Sequence, residues 1–145
     1  MPQPQKATTT PPAVNDTHRK RRILVIDDGD SVRDMIRLFL EKDGFEVCGE
    51  GSDGVEAIEQ AKKLKPDLIV LDLAMPRMNG VDAASILSQT MPNIPLVLLT
   101  LYQNVLGPSL ASAIGVKAVI DKTDGIDKLV ACVHSLLTSD TSPET

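Results

Sequence analysis

The 145-residue chain is poor in aromatic residues, which are 2% of it: Phe39, Phe45 and Tyr102, with no Trp. That shortage argues against surfaces that stack bases or sugars. No segment reaches the roughly 18 uninterrupted apolar residues of a membrane span. Two cysteines, Cys48 and Cys132, match no metal spacing and read as small core fillers of a reducing compartment. The opening segment MPQPQKATTTPPAVNDTHRKRR has no apolar stretch of the kind that marks a signal peptide. A soluble, cytoplasmic protein is expected.

What is present is one domain's worth of chain, since domains cluster near roughly 100–150 residues. Residues 1–22 carry five Lys/Arg against Asp16 and read as a basic, disordered Pro/Thr-rich tail. Residues 23–137 carry ten Lys/Arg against seventeen Asp/Glu and form the expected domain. A folded part with net charge −7 is a poor nucleic-acid binder by itself. Residues 138–145 read as a short disordered tail.

Short apolar runs occur at Ile23–Ile26, Leu68–Leu71, Leu96–Leu99 and Ala118–Ile120. Runs of this length without alternation predict strands covered on both faces. Phe45–Cys48 alternates instead and predicts an edge strand. Helical periods lie between the runs: Val32, Met35, Ile36, Phe39 and Leu40, opened by Asp30 or Ser31 with Asp34 completing a capping box and closed by Gly44; then Val55 to Leu64, ended before Pro66; then Val81 to Met91. A helix starting near Pro108 and a last one over Ile126–Leu137 complete the series. Five strand–helix units in alternation predict an α/β fold, a doubly wound parallel sheet. Ligands of such sheets bind beyond the carboxyl ends of the strands.

At those ends stand Asp27 and Asp28, Asp72, Thr100, and Asp121 with Lys122. If the strand order is 2-1-3-4-5, Asp27, Asp28 and Asp72 converge, and their mutual repulsion calls for a counter-charge. A divalent cation removes the difficulty, and hard oxygen ligands favour Mg²⁺. With Lys122 as an ammonium and Thr100 as a hydroxyl donor, the set suits phosphoryl transfer onto a carboxylate.

The pieces ILVIDD, GSDGVEAIE, PDLIVLDLAMPRMNG, PLVLLT and a Lys 22 residues beyond the Thr come in the order and spacing of one family. From Ile23 to about Leu137 the chain resembles the receiver domain of bacterial two-component response regulators, whose fold is the flavodoxin-like sheet of order 2-1-3-4-5. The resemblance implies that Asp72 accepts a phosphoryl group from a histidine kinase or histidine phosphotransfer protein. It implies Mg²⁺ held by Asp27, Asp28, Asp72 and the backbone carbonyl of Ala74, Lys122 paired with the phosphoryl oxygens, and Thr100 moving toward them as a switch. Such a domain is not an enzyme on other substrates; it assists only its own phosphorylation and dephosphorylation, and signals to a downstream protein by contact.

The chain departs from the pattern at several positions. Val119 replaces an aromatic three residues before the Lys, Leu101 replaces a small residue after the Thr, Thr123 replaces the common Pro, and Gly29 follows the acid pair. Val119 and Leu101 motivate a second reading, a degenerate receiver that acts as a phosphorylation-independent interaction module. A third, weaker resemblance is DGDSV at Asp28–Val32 to the nucleophile loop of haloacid-dehalogenase-like phosphatases, which leaves LDLAMPRMNG unexplained. GEGSDG at Gly49–Gly54 satisfies a dinucleotide pattern but follows the second strand, and Asp53 reads better as a helix cap. Between Ala83 and Val116, 34 residues carry no charged side chain, so the fourth predicted helix is expected to be covered by a partner or a second copy as a homodimer.

Overall fold

The structure is a computed structural model, and it describes residues 19–75, 77–101 and 113–138. Five strands, β1 (Arg22–Ile26), β2 (Glu46–Gly51), β3 (Leu68–Asp72), β4 (Leu96–Thr100) and β5 (Ala118–Asp121), pair in parallel in the order β2-β1-β3-β4-β5. The four described helices are α1 (Asp30–Lys42), α2 (Gly54–Leu64), α3 (Gly80–Thr90) and the C-terminal α4 (Ile126–Thr138). The doubly wound sheet of order 2-1-3-4-5 read from the sequence is the one observed. The helix expected from Pro108, and with it most of the charge-free face, lies outside the described residues.

The unbroken apolar runs have a direct cause. Along each central strand, alternate side chains enter two different cores, so neither face needs polar residues. Ile23, Val25, Val70 and Leu99 pack with Ile36 and Leu40 of α1 and Leu129 and Val133 of α4. Leu24, Ile26, Ile69 and Leu98 pack with Ala57 and Ala61 of α2 and Ala84 and Leu87 of α3. The small alanines on α2 and α3 fit beside the sheet, whereas α1 and α4 bring larger residues.

Two local expectations are corrected. Helix α1 is capped by Gly29, which has no side chain to bond the helix backbone, and Asp30, the first helical residue, pairs with the Arg33 guanidinium one turn on. The capping box with Asp34 does not form. The edge strand starts one residue later and runs further than Phe45–Cys48, and its register against β1 shifts between Ile23 and Leu24. Ile23 opposes Val47 but Leu24 opposes Gly49, leaving Cys48 as the extra residue. Cys48 is therefore half-buried at the irregularity rather than in a core, and Cys132 is half-buried beside the α1/α4 core. Burial pushes both thiols up.

Other boundaries follow the local chemistry of the chain. Asp53 caps α2, its Oδ1 accepting from Glu56 N at 2.9 Å, and Asn79 caps α3 in the same way through Asp82 N. Lys65 leaves α2 in the left-handed region, φ 48°, just before Pro66, which cannot continue a helix. Gly44, φ +96°, closes α1, as the sequence suggests.

Candidate functional site

Strand β1 is a continuous buried run whose register ends at Ile26, so the next residue, Asp27, emerges at the carboxyl edge of the sheet. The neighbouring β3 ends on Asp72, and β4 ends on Thr100 beside Asp121 of β5. Adjacency of β1 and β3 is what brings the two acidic segments together. One carboxylate oxygen from each of Asp27, Asp28 and Asp72 can be chosen so that all lie within 4.8 Å of one another.

Burial differs sharply among the three. Asp27 is 1% exposed and Asp72 4% exposed, while Asp28 faces solvent. The Lys122 ammonium, carried by the turn that follows β5, stands 2.8 Å from Asp27 Oδ2 and 3.3 Å from Asp72 Oδ1. Burial alone would lower its pKa, but the two carboxylates outweigh that and the net shift is upward. Asp72 is pushed up to about 6, first by burial and then by the charge of Asp27, with Lys122 opposing both. Thr100 is buried at the end of its strand.

The backbone around these acids is tightly determined. Asp27 Oδ1 accepts from Gly29 N at 2.8 Å, and the Asp27 backbone N–H donates to Gly51 O at 3.0 Å. Ala74 N donates to Asp72 Oδ1 across 3.4 Å, a long bond. The loop after Asp72 is held from its far side, where Gly54 N donates to Met78 O at 2.9 Å and the Arg77 guanidinium grips Asp53 Oδ2 at 2.6 and 2.7 Å. That grip and the cap bond to Glu56 hold the Asp53 carboxyl below the usual carboxylate range, the cap bond being the larger cause. The glycine-rich GEGSDG segment is thereby explained as strand end, cap and helix start.

A metal can be weighed against these residues. Asp27 Oδ2 is buried and meets the Lys122 ammonium at 2.8 Å. Three carboxylates that can each bring an oxygen within 4.8 Å of the others, one of them solvent-facing, are a hard-oxygen donor set that fits a small divalent cation.

Sequence reasoning placed Asp27, Asp28, Asp72, Thr100 and Lys122 at one edge, and the structure brings the three carboxylates and the ammonium together there. It missed Arg33, which reaches back to the Asp27 carbonyl and across to Glu50, Arg77, whose partner Asp53 lies 24 residues earlier, and Gly80, which closes the loop on Asp72 and Leu73. The strand-end runs mark acids but not what braces them. Leu101, the large residue that follows Thr100, is 55% exposed. Val119 packs partly buried against the α2/α3 core, and Tyr102 lies outside the described residues. His134 is exposed on α4, pairs with Asp43 and leans on the Phe45 ring, 4.7 Å between centroids.

Comparison with known proteins agrees with this geometry. The family described as "Response regulator receiver domain" matches residues 23–134. "Transcriptional regulatory protein PdtaR" of Mycobacterium tuberculosis is 35% identical over 127 residues, 87% of this chain and 61% of that protein. "Chemotaxis protein CheY" of Thermotoga maritima is 40% identical over 77 residues, 53% of this chain and 64% of that protein. The chain thus spans less than two thirds of the length of either. Among solved structures, a CheY-like receiver domain protein from Methanospirillum hungatei superposes with a TM-score of 0.79 at 21% identity, covering 86% of this chain and 99% of that one. A CheX-CheY-BeF3-Mg complex from Borrelia burgdorferi gives 0.75 at 23% identity, covering 85% and 93%. At those identities the likeness is one of fold. Acids at the ends of β1 and β3, a Lys after β5 and a family match across the whole sheet lead to one conclusion: this chain belongs to the response regulator receiver domains of two-component signalling.

Proposed function

We propose that the chain accepts a phosphoryl group on Asp72 from a phosphohistidine donor, a histidine kinase or histidine phosphotransfer protein, and signals in the cytoplasm by protein contact. The observation that carries the reading is the Lys122 ammonium set between Asp27 and Asp72, 2.8 and 3.3 Å from their oxygens. In the transfer an ionised Asp72 oxygen forms the new P–O bond as the P–N bond to the donor histidine breaks, and the pair of electrons stays on the histidine nitrogen. Asp72 must give up its proton first, and with its carboxyl at about 6 it does so near neutral pH. Lys122 then neutralises charge on the phosphoryl oxygens, and Thr100, buried at the adjoining strand end, offers a hydroxyl to them.

Asp27, Asp28 and Asp72, with the Ala74 backbone carbonyl, would hold Mg²⁺, which when bound offsets the negative charge of the transferring group. The domain on this reading performs no chemistry on other substrates. Incubation of the full chain with MgCl2 and a small phosphodonor tests it. A hydroxylamine-labile phosphoryl adduct absent from Asp72→Asn is the expected result. No adduct, from a small donor or a cognate kinase, would leave the phosphorylation-independent module, and an adduct on Asp28 would favour the phosphatase-like reading.

A further inference from the structure

Arg33 donates from one guanidinium nitrogen to the backbone carbonyl of Asp27 at 2.6 Å and from Nε to Glu50 Oε1 at 3.2 Å, and its remaining nitrogen pairs with Asp30. The side chain is 16% exposed, so this is a built contact rather than a solvated arginine. The carbonyl it holds belongs to the planar peptide that joins Asp27 to Asp28. Fixing that plane sets the direction in which both carboxylates leave the chain.

Glu50 is available for this only because of the irregularity in β2. Without the extra residue at Cys48, strict alternation from Val47 would send Glu50 toward α2, opposite to Val47. After the register shift Glu50 opposes Val25, which faces α1, while Gly49 and Gly51 take the α2 side. A Cβ on Gly49 would meet the Leu64 Cδ1 of α2 at 2.5 Å and one on Gly51 would meet the Ile26 Cδ1 of β1 at 2.9 Å, so these side-chain ends would have to move for a larger residue at either position. The same segment holds Asp27 from the other side, through Gly51 O to Asp27 N at 3.0 Å.

We infer that Arg33 is a positioning residue for the cation site: braced on Glu50, it orients the Asp27–Asp28 peptide so that both carboxylates face the cation. This rests on the Mg²⁺ reading above. A purely electrostatic role has the opposite sign, because removing a cation near three carboxylates would strengthen Mg²⁺ binding. A purely structural role would change stability and leave the affinity of the folded protein alone.

The experiment is calorimetric titration of the full chain with MgCl2, without phosphodonor, for the wild type, Arg33→Ala and Arg33→Lys, each checked for folding by circular dichroism. The expected result is Mg²⁺ affinity weaker by about tenfold in Arg33→Ala, the lower end of the effect of losing a group that orients metal ligands. Arg33→Lys keeps the charge but lacks the forked donors, so it should also weaken binding several-fold. Should Arg33→Ala fail to fold, the lysine variant carries the test. Unchanged or tighter binding in a folded variant overturns the inference. A wild-type chain that binds no Mg²⁺ overturns it together with the metal reading, and that outcome is recognised from the wild-type titration alone.

Discussion

Gly80, the first residue of α3, lies against the backbone carbonyl of Asp72: its N–H donates to Leu73 O at 2.8 Å, and a Cβ built on it would overlap the Asp72 carbonyl oxygen and reach within 2.8 Å of the Leu73 Cα. The loop that follows the acceptor candidate closes on itself at a point where no side chain fits. Backbone atoms cannot move aside as a flexible side chain can, so Gly80→Ala should cost about 3 kcal/mol, toward the upper part of the usual overpacking range. Denaturant unfolding measures it, and a loss under about 0.5 kcal/mol would refute the claim.

Asp72 makes a pH dependence of defined sign. Its folded pKa, about 6, lies above its ordinary value of 3.8, so between those pH values the folded protein holds a proton that the unfolded chain has released. Stability of the metal-free protein should fall as pH rises from 4 to 6 and level off above, by an amount of order 2–3 kcal/mol from this group. Asp72→Asn removes the burden and should melt higher than the wild type at pH 7.5 without Mg²⁺. Thermal melts of both proteins across pH 4–8 decide it; an unchanged slope in the variant counts against the assignment.

Cation binding should invert that comparison. A ligand that binds only the folded state adds RT ln(1 + [L]/Kd), about 2.7 kcal/mol at a hundredfold excess over Kd. Mg²⁺ should therefore raise the wild-type melting temperature more at pH 7.5 than at pH 5, where a proton on Asp72 competes, and chelation should reverse the gain. Asp72→Asn should lose most of the increment. Equal Mg²⁺ effects at the two pH values would contradict competition at this carboxyl.

The Asp53–Arg77 pair predicts two unequal mutants. Asp53→Ala removes both the α2 cap and the grip on the loop, leaving the Glu56 N–H without its acceptor, so it should lower the melting temperature clearly. Arg77→Ala removes only an ion pair whose cation is exposed, so it should do less, and its effect should shrink at 1 M salt. Asp53 is held below the usual carboxylate range, so its contribution is present above pH 4 and is lost as pH falls further, opposite in sign to Asp72. Melts of the two variants at low and high salt, and of Asp53→Ala below pH 4, check both statements.

Much of this fold was legible because the cause is local. A strand covered on both faces must be apolar at every position, so Ile23–Ile26 and Leu68–Leu71 announce themselves, and the first polar residue after each marks a strand end. Asp53 before a helical period reads as a cap for the same reason: its partner, Glu56, is three residues away. The α1 cap falls one residue earlier than the sequence suggests, on Gly29, which has no side chain to offer the helix backbone, and a one-residue shift of a helix start is not something that spacing reveals.

The site divides along the same line. Sequence alone determined which residues end the strands, and hence that Asp27, Asp28, Asp72, Thr100 and Lys122 would share an edge. Tertiary structure decided that β1 and β3 are neighbours, that an extra residue at Cys48 turns Glu50 toward Arg33, and that Gly80 closes the loop on Asp72. It also decided the acceptor's pKa, because burial and the Asp27 and Lys122 charges come from segments 45 and 50 residues away from Asp72. Desolvation and Coulomb forces depend on distance in space, and only the folded chain sets that distance.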